Sequence, residues 1–193
     1  VDDLRPVAGM PLRELYLAYT AVDNLAPLAG LPLQSLTIAF APVTDLKPLA
    51  GMPLVYLHLS GTKVETLAPL KGMPLRALHL DRTPVTNLKP LAGLTRLDRL
   101  NLSRNQIANL APLKNLVNLE RLNLINNNIT NLRPLAHLVE LQWLALNFNQ
   151  ITNLKPLTGL KKLKVLMLTG NPDLEDSEVE KIEDLLPDCN IEY

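Results

Sequence analysis

The sequence predicts an α/β solenoid: a right-handed coil with a concave parallel β-sheet, an irregular or 3₁₀ convex side and a C-terminal helical cap. A proline followed by an aliphatic residue recurs every 21 or 22 residues, and the last 21 residues break this pattern. Only two Phe, one Trp and four Tyr are available to fill a core. Units this short bury an apolar face only by stacking, so leucines must form the core. The recurring prolines are Pro6, Pro27, Pro48, Pro69, Pro90, Pro112, Pro134 and Pro156.

The repeats are expected to form one solenoid domain over residues 1–193, with two repeat styles and a cap. Residues 1–92 hold 21-residue units such as GMPLRELYLAYTAVDNLAPLA from Gly9, and residues 93–172 hold 22-residue units such as NLVNLERLNLINNNITNLRPLA from Asn115. Residues 173–193 form the C-terminal cap. The chain starts mid-repeat, so we expect a truncated form or a domain excised from a longer protein, with its first core layer uncovered.

Each unit is predicted to contain one strand and one return segment. Alternating apolar residues such as Leu15 and Leu17 indicate a short strand with one buried face, and strands of successive units would stack about 4.8 Å apart. The segment N-L-x-P-L then returns the chain along the outer side. A proline there presets φ and lacks an N–H, which favours a 3₁₀ turn over a long helix.

The turn after each strand carries a column of mostly polar side chains, which we expect to satisfy buried backbone groups. The later repeats place asparagine there and the earlier ones threonine, except for Ala41, which has no polar side-chain atom. We therefore predict that this ladder is weakest at the second repeat. The column consists of Thr20, Ala41, Thr62, Thr83, Asn105, Asn127, Asn149 and Asn171.

The C-terminal segment predicts a capping helix. Ser177 followed three residues later by Glu180 has the spacing of a capping box, and Pro187 is expected to end the helix. Cys189 is the only cysteine, so an internal disulfide is excluded and the redox compartment is undetermined. We expect it to be a small buried residue of the cap. The buried face of the helix is expected to consist of Val179, Ile182 and Leu186.

Charge and hydropathy argue against several classes of partner. Lysine plus arginine equals aspartate plus glutamate at 19 each, which argues against nucleic acid or an anionic membrane as partner. No apolar run approaches the ~20 residues of a membrane span, and Val1-Asp2-Asp3 does not begin a signal peptide. Residues 93–172 nevertheless carry ten basic and three acidic groups, and residues 173–193 one and nine. We expect Lys161, Lys162 and Lys164 to pair with this acidic cap.

The shared pattern L-x-x-L-x-L-x-x-[NT]-x-[IV] resembles that of the leucine-rich-repeat family over nearly the whole chain. The 22-residue units are similar to those of bacterial internalins and, more loosely, of the leucine-rich regulatory subunit of type 1 protein phosphatase. The 21-residue units opening G-M-P-L are similar to repeats common in environmental bacteria. The resemblance implies a protein-recognition module without enzymatic activity or cofactor, secreted or displayed on the cell surface if internalin-like; the chain itself leaves localisation unknown.

Four columns of side chains are expected to leave the core: those before, between and after the strand leucines, and a rim column. Six of the seven aromatic residues lie in these columns. Because Trp, Tyr and Arg dominate interface energetics, we predict that the concave face binds a protein or peptide, with the arginines favouring an acidic one. For rim aromatics, packing over neighbouring turns is the alternative. The predicted binding residues are Tyr16, Tyr19, Phe40, Tyr56, His58, His79, Arg82, Arg99, Arg104, Arg121, Trp143 and Phe148.

A metal site is a less favoured alternative. His58 and His79 share a column on adjacent strands, and Asp81 follows two residues later, so two imidazoles and a carboxylate would converge. No third nitrogen or sulfur ligand accompanies them, and no nucleophile or general-base arrangement is present.

Two further alternatives concern the chain as a whole. The two repeat styles meet between Leu91 and Leu94, which is compatible with natural duplication or with an engineered or chimeric scaffold that has no native ligand. The uncovered core layer around Leu4 and Val7 predicts self-association through the N-terminal end.

Overall fold

The computed structural model describes all 193 residues. Nine strands of three residues form one parallel sheet in sequence order. About eight strands were predicted, and the ninth comes from the C-terminal segment. The strands are β1 (Glu14–Tyr16), β2 (Ser35–Thr37), β3 (Tyr56–His58), β4 (Ala77–His79), β5 (Arg99–Asn101), β6 (Arg121–Asn123), β7 (Trp143–Ala145), β8 (Val165–Met167) and β9 (Asn190–Glu192).

Equivalent residues of successive repeats pair directly across the sheet. Leu57 of β3 lies opposite Leu78 of β4, which in turn lies opposite Leu100 of β5. Because side chains alternate along a strand, the central leucine of each repeat strand points into the core and its two neighbours point away. These central leucines are at most 2% exposed from β2 to β8. Every repeat position therefore becomes a continuous column across the sheet.

Eight short 3₁₀ helices form the return segments, and each contains one of the recurring prolines. A side-chain oxygen two residues before each helix accepts a hydrogen bond from the first helical N–H, as Asn109 Oδ1 does from Ala111 at 2.9 Å. This Asx-type turn fixes where each return begins. The helices span Arg5–Val7, Ala26–Leu28, Lys47–Leu49, Ala68–Leu70, Lys89–Gly93, Ala111–Leu113, Arg133–Leu135 and Lys155–Leu157.

The two repeat lengths differ by one turn of the return segment. After the first four 3₁₀ helices the next residue is extended, as at Ala29 with ψ 127°, and a glycine with positive φ follows. In the later units the equivalent residue is helical, as at Ala136 with ψ −23°. A further turn then closes through a hydrogen bond from Leu141 N–H to the Leu138 carbonyl at 3.0 Å. This turn accommodates the extra residue, so both styles keep the same sheet register.

The core is a single aliphatic cluster. It contains 55 buried residues, none of them aromatic, as the composition predicted. Partly buried Val7, Leu12 and Leu15 pack against it in the first repeat. In this structure no helix has the length and hydrophobicity required to cross a lipid bilayer.

The polar ladder follows the predicted column. Asn149 Nδ2 donates to the carbonyls of Leu124 and Leu146, both at 2.9 Å, and its Oδ1 accepts from the Ile129 N–H at 3.0 Å. Threonine makes a smaller contribution, since the Thr62 hydroxyl donates only to the Leu59 carbonyl at 2.7 Å. Ala41 has no polar side-chain atom, so the ladder lacks a side-chain bond at the second repeat.

The C-terminal cap begins with helix α1 (Asp176–Leu185). Its buried residues are those predicted, but the capping box is absent. Glu175 is the N-cap residue, and its carbonyl accepts a hydrogen bond from the Glu178 N–H at 2.9 Å. The helix therefore starts before Ser177, whose hydroxyl bonds the Glu175 carboxylate at 3.3 Å instead. The buried residues of the cap are Val179, Ile182 and Leu186.

Two further predictions about the cap need correction. Cys189 is only partly buried, because it lies between α1 and the edge strand β9 rather than inside the core. Of the three lysines, Lys161 donates to the Leu185 carbonyl at 2.8 Å and Lys164 lies 3.7 Å from Asp188. Lys162 instead pairs with Glu140 of the preceding repeat at 2.6 Å.

Replacing Asn149 with alanine tests the ladder. The change leaves the Ile129 N–H and two carbonyls buried without these partners, so we expect the free energy of unfolding to fall by about 1–3 kcal/mol. Urea unfolding followed by circular dichroism measures it. Asn128→Ala is the matched control, because Asn128 is exposed and its side chain makes no hydrogen bond. Equal stability of the two variants would contradict a structural role for the ladder.

Candidate functional site

The candidate surface is the face of the sheet that points away from the core, into solvent. We define the concave face as the first and third residues of strands β1 to β8 plus the residue two positions after each strand, and the rim as the residue three positions after each strand. All twelve predicted binding residues lie on the concave face or the rim, and none belongs to the core cluster. Tyr16 and Tyr19 are 74% and 75% exposed, whereas Tyr56, His58, His79 and Trp143 are half-buried.

Arginines cluster in the middle of this face. Arg99 lies opposite Arg121, which lies opposite Trp143 on the next strand. Arg82, Arg104 and Arg121 have no carboxylate within 4.0 Å. Arg99 alone has an acidic neighbour, Asp98, at 3.7 Å. The positive charge of this region is therefore largely unneutralised by the protein itself.

His58 and His79 form a second feature of the concave face. They are opposite each other on β3 and β4, with ring centroids 4.9 Å apart. Asp81 lies beside them, and its Oδ1 accepts hydrogen bonds from the Ser60 hydroxyl and from Asn101 Nδ2, the latter at 2.8 Å. One potential ligand atom from each of the histidines and from Asp81 lies within 4.8 Å of the others. The structure thus brings together the three residues of the alternative metal site.

Burial governs the protonation of this cluster. Desolvation lowers the pKa of His58 and of His79, with the neighbouring His58 lowering the pKa of His79 further, while Asp81 opposes both shifts. Desolvation likewise raises the pKa of Tyr56, whose ring lies 5.6 Å from that of His79. Both imidazoles are consequently neutral at neutral pH and keep a free lone pair.

The comparisons with known proteins agree with the solenoid fold. The family model of leucine-rich repeats in two copies matches residues 95–138 and 139–185. Internalin C2 of Listeria monocytogenes is 35% identical, with 82% of this chain and 71% of that chain covered and a TM-score of 0.80. The chain belongs to the leucine-rich-repeat family. It is a bacterial internalin-like protein, as the pattern of its 22-residue units predicted.

Other leucine-rich-repeat structures share the fold at lower identity. A Listeria monocytogenes internalin, inlF, is 29% identical with a TM-score of 0.86, and a leucine-rich-repeat protein of Leptospira interrogans is 25% identical with a TM-score of 0.69. This chain is covered to 98% and 94% but spans only 63% and 55% of those proteins. No curated protein matches the chain.

The rim of these leucine-rich repeats adopts a left-handed backbone, which the sequence analysis missed. Six non-glycine rim residues have φ between 56° and 58°, and two glycines complete the column. Each such L-residue costs roughly 1–2 kcal/mol. Backbone hydrogen bonds to the next repeat offset this conformational cost. One example runs from the Phe40 N–H to the Ser60 carbonyl at 2.8 Å. The sequence signal for this left-handed backbone was the presence of two glycines and an asparagine in one column, because these residues are enriched at positive φ. The column is Tyr19, Phe40, Gly61, Arg82, Arg104, Asn126, Phe148 and Gly170.

Two rim aromatics pack over the adjacent turn, as the alternative interpretation proposed. The Phe40 ring lies over Gly61 and the Phe148 ring over Gly170, where a Cβ would overlap the ring. Tyr19 stacks on Phe40 with centroids 4.9 Å apart and planes 8° from parallel. These residues thus have a structural contact, yet Phe40 and Phe148 remain 40% and 58% exposed.

Gly61→Ala tests the packing of Phe40 on the rim. The new Cβ meets both an unfavourable φ and the ring, so we expect a loss of unfolding free energy beyond the roughly 1–2 kcal/mol of the backbone alone. Gly72→Ala is the matched control, since Gly72 has φ +77° and open space around it. In a Phe40→Ala background the excess should vanish. An excess that persists in that background would show that the ring does not rest on Gly61.

Proposed function

We propose that this protein is a non-enzymatic recognition module that binds an acidic protein or peptide on its concave face. Internalin-type leucine-rich-repeat proteins are commonly protein-interaction modules, which supports the general class. The observation that carries the finer proposal is the group of four arginines, of which only Arg99 has a carboxylate within 4.0 Å, flanked by half-buried Tyr56 and Trp143.

The arginine group favours carboxylates over other ligands. Arg99 and Arg121 on neighbouring strands, and Arg82 and Arg104 on neighbouring rim positions, form two pairs of like charges. A guanidinium presents a planar fork of donors that binds a carboxylate through two hydrogen bonds. An extended acidic segment crossing the strands would relieve both repulsions at once.

The aromatic residues supply the apolar part of the interface. Trp143 lies opposite Arg121 across β6 and β7, and Tyr56 lies four strands from Trp143, on β3. Because both rings are already half-buried, ordering them on binding costs little side-chain entropy. A central charged region flanked by aromatic anchors is the arrangement expected of a binding hot spot.

A triple variant tests the proposal. Tyr56→Ala, Arg121→Ala and Trp143→Ala together should abolish binding of acidic peptides selected from a displayed library, without lowering the melting temperature, because none of the three side chains belongs to the core cluster. Calorimetry at low and high salt measures the affinity. The control triple Val117→Ala, Arg133→Ala and Val139→Ala alters exposed residues outside the strands and should bind normally. Unaltered affinity of the concave-face variant would place the site elsewhere.

Self-association through the N-terminal end stays a prediction of its own. Val7, Leu12 and Leu15 are only partly buried, and β1 pairs with a strand on one side only. We expect sedimentation of the chain to depend on concentration and Leu12→Glu to suppress that dependence. A monomer at all concentrations would refute the prediction. The other alternative is an engineered or chimeric scaffold, which would have no native ligand.

A further inference from the structure

The cluster of His58, His79 and Asp81 contains side chains that the proposed recognition of an acidic partner does not require. We propose that these three residues bind one divalent transition-metal ion of borderline softness, such as Zn²⁺, through two imidazole nitrogens and one carboxylate oxygen. This site goes beyond the proposed protein recognition and does not depend on it. Two imidazoles with one carboxylate form a ligand set that suits such ions.

The sheet register positions the ligands. Because His58 and His79 are paired residues of adjacent strands, their Cα atoms are held by the backbone of β3 and β4. The candidate ligand atoms lie within 4.8 Å of one another. Ligands at zinc bond lengths of 2.0–2.1 Å in tetrahedral geometry lie about 3.3 Å apart. Metal binding therefore requires the side chains to rotate about their own bonds and bring these atoms closer, whereas the strands can stay in place.

Asp81 is oriented for this role by its own hydrogen bonds. Its Oδ1 accepts from Ser60 Oγ and Asn101 Nδ2, whereas Oδ2 makes no hydrogen bond. One carboxylate oxygen is therefore anchored and the other is free to bind a cation. Hydrogen-bonded partners behind a ligating carboxylate are typical of metal sites, where they fix the ligand's orientation.

The two histidines lack other partners. Neither ring takes part in a side-chain hydrogen bond, although both rings are partly withdrawn from water. Neither imidazole has a buried nitrogen without a partner, so the ring nitrogens are reachable from solvent and no protein group competes for them. A bound cation would satisfy one nitrogen of each ring, and Asp81 would supply the compensating negative charge. Arg99 is a nearby cation that opposes binding.

The exposed side of the cluster leaves the metal ion accessible. Three protein ligands would leave at least one coordination position open to the concave surface, where water could bind. Tyr56 closes one side, with its ring 6.4 Å from that of His58 and 5.6 Å from that of His79.

Titration of chelator-treated protein with metal ions tests the site. We expect Zn²⁺ to bind with one ion per chain in calorimetry, and Co²⁺ to produce visible absorption bands. His58→Gln and His79→Gln should each weaken binding at least about tenfold. His137→Gln is the matched control, because His137 is exposed on a return segment and should leave both signals unchanged. Absence of heat above dilution would overturn the proposal.

Two further variants separate a metal site from a structural effect. Asn101→Ala removes the support of Asp81 and should weaken binding about tenfold, whereas Asn123→Ala, in the same column on β6, should not. Zn²⁺ should raise the melting temperature of the wild type but not that of the double variant His58→Gln/His79→Gln, whose metal-free melting should match the wild type. Undiminished Zn²⁺ binding by that double variant would also overturn the proposal.

Discussion

The structure depends on one constraint, the in-register pairing of parallel strands from one repeat to the next. With strands of three residues, no repeat has a core of its own, and each leucine is buried only because the same leucine follows one repeat later. The constraint acts on every position, not only on the apolar ones. Equivalent residues of successive repeats lie side by side and form columns. The side chains of each column must therefore pack or pair with one another across the sheet.

The ladder shows how the two halves of the chain meet that constraint differently. An asparagine such as Asn127 bonds to the Leu124 carbonyl of its own repeat. It also bonds to two backbone groups of the preceding repeat, those of Leu102 and Ile107. A threonine such as Thr62 donates only to a carbonyl of its own repeat, that of Leu59. Side-chain bonds therefore link consecutive repeats in the second half and are missing between the earliest ones. In a stack whose stability is a sum of neighbour terms, this makes the second half the more strongly coupled region.

Most of the fold was predictable because repetition reveals which residues share an environment. The proline spacing located the return segments, the alternation around Leu100 and Leu102 located the strands, and the Ala41 gap in the ladder followed from its missing side-chain oxygen. The ninth strand was not predicted, since Asn190–Glu192 occurs once and has no repeat to align with. The predicted capping box at Ser177 was wrong for the same reason. The prediction used local spacing alone, whereas the start of the helix also depends on its packing against the last repeat.

The candidate site was predictable as a set of positions but not as a set of contacts. Sequence columns placed Phe40 and Tyr56 together as exposed aromatics, yet one ring lies over a glycine of the next turn and the other against the histidine pair. That difference arises from backbone φ at the rim and from side-chain directions, which the repeat pattern does not encode. The convergence of His58 with His79, by contrast, follows directly from register, because column neighbours on adjacent strands must face each other.

The same constraint gives the arginines their significance. A column of leucines or asparagines gains stability from its repetition, but like charges opposite each other across two strands destabilise a sheet. Arg99 and Arg121 nevertheless occupy such a pair, and residues such as serine or alanine occupy the same column elsewhere. Arg99 has one partly compensating neighbour, Asp98, and Arg121 has none within 4.0 Å. Positions where a local rule is broken in this way are where function is expected. A negatively charged partner of the kind proposed above would complete that compensation.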